Sequence, residues 1–330
     1  MEARAGMGEK GKRKIEGGGV ARAGVLGMVA GKFFEMMSEQ SAFFRSVELS
    51  DVTLRVRDLA RVAGFYREEV GLSVVGETSE RVALAALAVD GKAPLIVLER
   101  VAEAKERLPG TAGLFHTAFL FPGRAALGRV ARRLIEREVA FGTGDHGVSE
   151  ALYLDDPEGN GVELYADRAV SEWPPAGADG QVTMYTEAVD VRALLAAEAG
   201  GREGAREGAM GAGVRIGHLH LCVAGLAEAE GFFAGVLGFP VRQRSYPGAL
   251  FLGRDGYHHH FGANVWRSRS PAVAGALGLA RFTVNFAEKA ELARVIAAAE
   301  AAGRVVRRDK SGATLRTTDG IELVVRGAAG

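Results

Sequence analysis

Seven histidines carry most of the reactive side chains of this 330-residue chain: His116, His146, His218, His220, His258, His259 and His260. Imidazole is both a transition-metal ligand and a proton carrier near neutral pH. Side chains alternate along a strand, so the run HLHLC sets His218 and His220 on one face. The same rule puts His258, His260, Gly262 and Asn264 on one face and His259 on the other. His116 sits in the apolar run FHTAFLF. Glu163 lies between Val162 and Leu164, in a run where an unpartnered carboxylate is costly to bury, and Tyr165 shares its face. His146, in GDHGVSE, precedes a strand. Cys222 is the only cysteine, which excludes an internal disulfide and makes a reducing, cytoplasmic compartment the expectation.

Two internal repeats supply the elements that must position these groups. Asp51, Leu59, Phe65, Tyr66 and Gly71 recur as His218, Leu226, Phe232, Phe233 and Gly238, each 167 residues on. Each copy opens with an alternating strand (Val52, Leu54, Val56; Leu219, Leu221, Val223). A helix follows and ends at a glycine suited to a left-handed turn. Further β-rich runs come next: RVALAALAV and PLIVLE in one copy, ALFLG and FGANVW in the other. A second pair interleaves with the first at an offset of 165, matching His116, Phe121, Leu127 and Val130 to Arg281, Phe286, Leu292 and Val295. The chain therefore reads as four β-α-β-β-β units, near 48–100, 113–167, 215–266 and 277–326, giving an α+β fold.

The expected domains are 46–168 and 215–330, two units each, joined by a linker over 169–214 that carries the short helix AVDVRALLAAEA and a Gly-rich stretch. Residues 1–45 read as a disordered tail or the result of an early start codon, with Met28, Met36 and Met37 as later starts. Lys+Arg and Asp+Glu both total 41, and basic–aromatic stripes are absent, so no nucleic-acid partner is expected. No apolar run reaches the ~18 residues of a membrane helix, and no phosphate-binding glycine motif occurs. A homo-oligomer is compatible with the composition.

Four such units, with the opening H-x-x-L-x-V strand at His218 and closing strands like GVEL, resemble the vicinal oxygen chelate superfamily of glyoxalases, bleomycin- and fosfomycin-resistance proteins and extradiol dioxygenases. SEALYLDDPEGNGVELYADR and GYHHHFGANVW resemble its two-domain catechol-2,3-dioxygenase group. The resemblance covers about 46–327. It implies curved sheets formed by paired units, with metal ligands drawn from the first and last strand of each unit. Read onto this chain, the slots are Asp51 and Glu99, His116 and Glu163, His218 and Asn264, and Arg281 and Glu322.

The middle units then supply His116, Glu163 and His218, a two-histidine, one-carboxylate set suited to Fe(II) or to Mn(II). Arg281 in a ligand slot would repel a metal, so the outer units are expected to form a metal-free cup. His260 is the candidate acid–base residue, with substrate hydrogen bonding as the other reading. His220, His258, Asn264, His146 and Tyr165 are expected near the substrate or behind the ligands. The resemblance thus implies a ring-cleaving dioxygenase acting on a small aromatic diol with O2. A glyoxalase-type isomerase or lyase, and a non-enzymatic small-molecule-binding protein, are the alternatives. The first of these would want a fourth protein ligand where Asn264 stands.

Overall fold

The computed structural model describes residues 42–86, 93–199 and 213–328. Most of the expected tail therefore lies outside the described residues, as does the Gly-rich run 200–212. Four units of one strand, one helix and three strands follow each other. Unit one is β1 (Val47–Val56), α1 (Leu59–Phe65, continued by a wider turn over Tyr66–Val70), β2 (Ser73–Thr78), β3 (Arg81–Ala85) and β4 (Ile96–Arg100). After the short β5 (Gly110–Thr111), unit two is β6 (Gly113–Leu120), α2 (Arg124–Glu136), β7 (Gly142–Asp145), β8 (Ser149–Asp155) and β9 (Gly161–Asp167). The linker contributes α3 (Val191–Ala199). Unit three is β10 (Arg215–Cys222), α4 (Leu226–Glu230, continued over Gly231–Val236), β11 (Val241–Gln243), β12 (Ala249–Leu252) and β13 (Phe261–Asn264). After β14 (Ser268–Ser270), unit four is β15 (Gly278–Phe286), α5 (Lys289–Ala301), β16 (Val305–Arg308), β17 (Gly312–Arg316) and β18 (Glu322–Gly327).

The repeats are visible in detail. Gly71 and Gly238, matched by the 167-residue offset, have φ of 88° and 81° and close the two equivalent helices in the left-handed region. Asp58 caps α1, its carboxylate accepting from the Arg61 N–H at 3.0 Å. Apolar side chains of the strands and helices, among them Leu54, Tyr66, Phe119, Phe233 and Phe282, fill one core.

The sheet pairs units in a way that chain order does not suggest. β6 of unit two runs antiparallel to β10 of unit three, and β1 of unit one runs antiparallel to β15 of unit four. The two curved halves meet through β1 and β10, at Leu49 opposite Ile216. The middle units therefore share one cup and the outer units the other, so neither half of the chain is a cup by itself. In the outer cup, Arg281 donates to Glu99 at 2.6 Å. A guanidinium thus occupies the region where the resemblance places a ligand.

Glycine is required where strands of the inner cup crowd. A Cβ on Gly217 would lie 1.7 Å from the Tyr165 hydroxyl oxygen, at an irregularity in the β6–β10 pairing. Gly217→Ala is expected to cost about 1–3 kcal/mol, read as a lower melting temperature. Tyr165→Phe in the same chain should recover part of it by removing the clashing oxygen.

Candidate metal centre

Strand register explains why three distant residues meet. Across three neighbouring strands, His218 of β10 lies opposite Ala118 of β6, which lies opposite Glu163 of β9. Ala118 is a methyl group deep in the cup, so the longer side chains on either side of it converge above it. His116 stands two residues earlier on the same face, opposite His220 on one side and Gly161 on the other. His116 Nε2 is 2.9 Å and His218 Nε2 is 3.0 Å from the same Glu163 Oε2. The candidate ligand atoms of all three lie within 4.8 Å of one another.

The residues fit a divalent ion on three counts. Two donors bound at ~2.1 Å and at right angles to each other stand about 3.0 Å apart, which matches both nitrogen–oxygen separations. His116 Nε2 is buried yet makes no well-directed hydrogen bond. Two imidazoles and one carboxylate form a set that leaves positions open in an octahedral sphere. Glu163 is fully buried, and burial alone would raise its pKa. The proximity of the His218 and His116 imidazoles outweighs that and holds the carboxyl well below its usual range. Burial keeps His218 below the ordinary histidine value.

The fourth slot needs correction. In β9 the ligand position pairs with the residue two beyond His116, namely Ala118 with Glu163. The ladder of unit three pairs His220, two beyond His218, with Gly262. The equivalent of Glu163 is therefore Gly262, not Asn264. Likewise Val97 and Val324, not Glu99 and Glu322, take that position in the outer units. A Cβ on Gly262 would meet the His220 ring at 2.7 Å, so the histidine fills the space a fourth ligand would use. Asn264 is buried one row further on, where its Oδ1 accepts from the Trp266 N–H at 3.2 Å.

A cavity of about 420 Å³ opens over the triad. His220, His146 and His259 line it. His258, Tyr165, Asn264 and His260 do not. His260 is corrected as the acid–base candidate, because it lies in the closed end of the cup. Phe43 and Phe44, expected to be tail, are buried there with Tyr257 and Tyr165. The Phe43 carbonyl accepts from His260 Nε2 at 3.2 Å. The strand alternation that suggested His260 fails because β13 begins only at Phe261, after a turn in which Asp255 and Gly256 have φ of 55° and 83°. Tyr165 takes the second of its two expected places, behind the ligands. Its hydroxyl bonds Tyr257 at 2.7 Å and its ring packs 4.7 Å from that of His218, so it supports a ligand from behind.

Burial lowers the His260 pKa to about 3. Unfolded, it titrates near 6.5. Between those values the unfolded chain binds a proton that the folded chain does not, so stability falls as pH drops from about 6.5 toward 3. The slope approaches 1.4 kcal/mol per pH unit from this group, about its limiting value. Urea unfolding at pH 7, 5 and 4 should show a shallower loss in His260→Phe than in the unsubstituted protein.

The histidine that does reach the cavity is His259, whose ring centroid is 4.2 Å from that of His218. Behind it, His258 Nδ1 is 2.8 Å from His259 Nδ1, and His258 Nε2 is 2.9 Å from Asp167 Oδ1. A carboxylate only accepts, so His258 Nε2 carries a hydrogen. With both rings uncharged, His258 Nδ1 then accepts from His259 Nδ1–H, which leaves the lone pair of His259 on Nε2. Burial, reinforced by the neighbouring imidazoles, holds His259 well below the usual histidine pKa.

Tyr153 was not singled out by the sequence, although it lies directly opposite Glu163 across β8 and β9. Its hydroxyl is 2.6 Å from His146 Nε2, while His146 Nδ1 donates to the Tyr185 carbonyl at 2.8 Å. Tyr153 and His146 Nε2 thus share a short hydrogen bond. Burial and the Glu163 charge push the phenol well above its usual pKa, so it keeps its proton. Phe115, Phe251, Tyr246 and Trp266 form an aromatic wall toward the mouth. Phe115 faces the cavity beside His116 because the β6–β10 pairing skips it, a bulge that re-aims a side chain.

Known proteins share this architecture. The profile of the Glyoxalase/Bleomycin resistance protein/Dioxygenase superfamily matches residues 48–164. A catechol-2,3-dioxygenase of Bacillus subtilis (strain 168) is 43% identical over 246 residues, 72% of this chain and 82% of the relative. A biphenyl-2,3-diol 1,2-dioxygenase of Rhodococcus globerulus is 46% identical over 66 residues, 19% of this chain and 33% of its own. Among solved structures, glyoxalase I of Zea mays superposes with a TM-score of 0.52 at 14% identity, covering 86% of this chain and 92% of that one, a likeness of fold alone. With a relative this similar along most of its length, and with four β-α-β-β-β units in two curved cups, the chain belongs to the Glyoxalase/Bleomycin resistance protein/Dioxygenase superfamily.

Proposed function

We propose that the protein is an extradiol dioxygenase, opening the ring of a catechol-like diol beside its two hydroxyls with O2. The observation that carries this reading is the convergence of His116, Glu163 and His218 at the floor of the cavity, with no side chain at the position of a fourth ligand. Those three residues would hold one Fe(II), or Mn(II). Such an ion supplies a common site for both diol oxygens and O2, which sets the reactants beside each other.

The chain's other residues bind and move protons. His259 stands beside the ligand His218 with its Nε2 lone pair free, suited to take a proton from a diol hydroxyl and to return it later. His258 and Asp167 fix the ring and its tautomer. Tyr153, protonated and held by His146, offers a hydroxyl at the edge of the site. The aromatic wall of Phe115, Phe251 and Trp266 takes the flat face of the substrate and excludes water. The glyoxalase-type alternative loses support at Gly262, because a fourth carboxylate there has no room beside His220. The test is to supply the Fe(II)-loaded protein with catechol in air and follow the yellow ring-opened product. Thioester formation from methylglyoxal and glutathione would favour the alternative.

A further inference from the structure

Beside the main cavity lies a second one of about 300 Å³, and Phe115, Asp155 and Arg267 line both. Its position follows from the strand rows. The row after His220 and His116 pairs Cys222 with Gly113, roughly 7 Å further along the strands. Gly113 has no side chain, and Arg107 lies over it; a Cβ there would be 3.1 Å from Arg107 Nε. Arg107 is half-buried and held by two neutral acceptors, the Leu114 carbonyl at 2.6 Å and the Thr111 carbonyl at 3.3 Å. Arg267 stands over the Phe115 ring at 5.7 Å. The small β5–β14 sheet, pairing Ser268 with Gly110, brings the two arginines to one cavity.

Among the described residues neither guanidinium has a carboxylate within ion-pair distance. Other half-buried arginines are paired, such as Arg124 with Glu150 and Arg281 with Glu99. Asp155 is the one carboxylate on the lining, exposed and unpaired with either arginine, so the cavity keeps a net positive charge. A half-buried guanidinium held in place by carbonyls keeps its positive charge directed at the cavity, where a charge-assisted bond to an anion is favourable.

We propose that this second cavity is an anion subsite, receiving a carboxylate on a side chain of the substrate whose ring lies against Phe115. The inference rests on the dioxygenase reading for the word substrate, but not for the binding itself. The substrate class is thereby narrowed to aryl compounds with an acidic group a few bonds from the ring. Arg107 and Arg267 offer planar donor pairs to that group.

Binding of 3-phenylpropionate and of its neutral counterpart 3-phenylpropanol, measured by calorimetry on the full chain, tests this without turnover. The acid should bind at least about tenfold more tightly than the alcohol. Arg267→Gln should remove most of that preference and Arg267→Lys should restore part of it. Arg267 is exposed, so the fold should tolerate both. Arg107→Gln should act in the same direction. Equal affinities, no measurable binding of the acid at millimolar concentration, or a preference that survives both glutamine substitutions would overturn the subsite. Turnover of unsubstituted catechol is read separately. If no diol is cleaved while the arginine-dependent preference persists, the dioxygenase reading fails and the subsite stands.

Discussion

Replacing His218 by alanine should empty the metal centre. Of the three donor groups, His218 and His116 each supply one of the two nitrogens, and both approach the same Glu163 oxygen at 2.9–3.0 Å. Removing one leaves two protein donors, and the sphere then depends on water. Metal analysis of freshly purified protein should fall from about one iron or manganese per chain to near none in His218→Ala, and in His116→Ala alike. Ring-opening activity should fall with it, below about one thousandth of the starting value. The fold should survive, because the lost ring borders an open cavity and Tyr165 still packs against Tyr257. Glu163→Gln should act in the same direction for a different reason. The amide keeps the shape but not the charge, and two imidazoles then face a neutral group.

The second large effect separates neighbours in the sequence. His259→Gln should lower turnover by about 10²–10⁴-fold while the metal content stays near one per chain, as expected for loss of a proton carrier. His260→Gln should leave the metal and most of the turnover in place and reduce thermal stability instead. The contrast follows from where the two rings lie. His259 touches His218 and the cavity, whereas His260 packs against Phe44, Phe239 and Tyr257. Steady-state rates and metal content on the same preparations decide it. Equal losses in both variants would mean that the triple histidine acts only through packing.

The same pair shows how far the sequence could be read. The 167- and 165-residue offsets reveal four units, since homologous strands and helices keep their apolar spacing whatever their loops do. The register of those units also brings His116, His218 and Glu163 into view as a set, because strand-to-strand alignment within a unit is local. What local pattern cannot supply is the path of a loop. His258, His259 and His260 lie in the turn before β13 begins at Phe261, outside the strand, so the inward histidine is the one that alternation rejected. Asn264 failed by two positions because the loops before the last strands differ in length between units, while β13 pairs His220 with Gly262. Phe43 and Phe44 failed because their partners, Tyr257 and His260, are more than 200 residues away. Tyr153 left a usable signal, since a hairpin turning at DPEGNG sets it opposite Glu163.

Oxygen uptake and the absorbance of the ring-opened product, followed together on Fe(II)-loaded protein mixed with catechol or a carboxylated catechol, bear most directly on the role of the buried triad. One O2 consumed for each diol, with a yellow product whose formation vanishes in Glu163→Gln, is the expected result. Full iron occupancy without uptake of O2 or loss of any diol would contradict it.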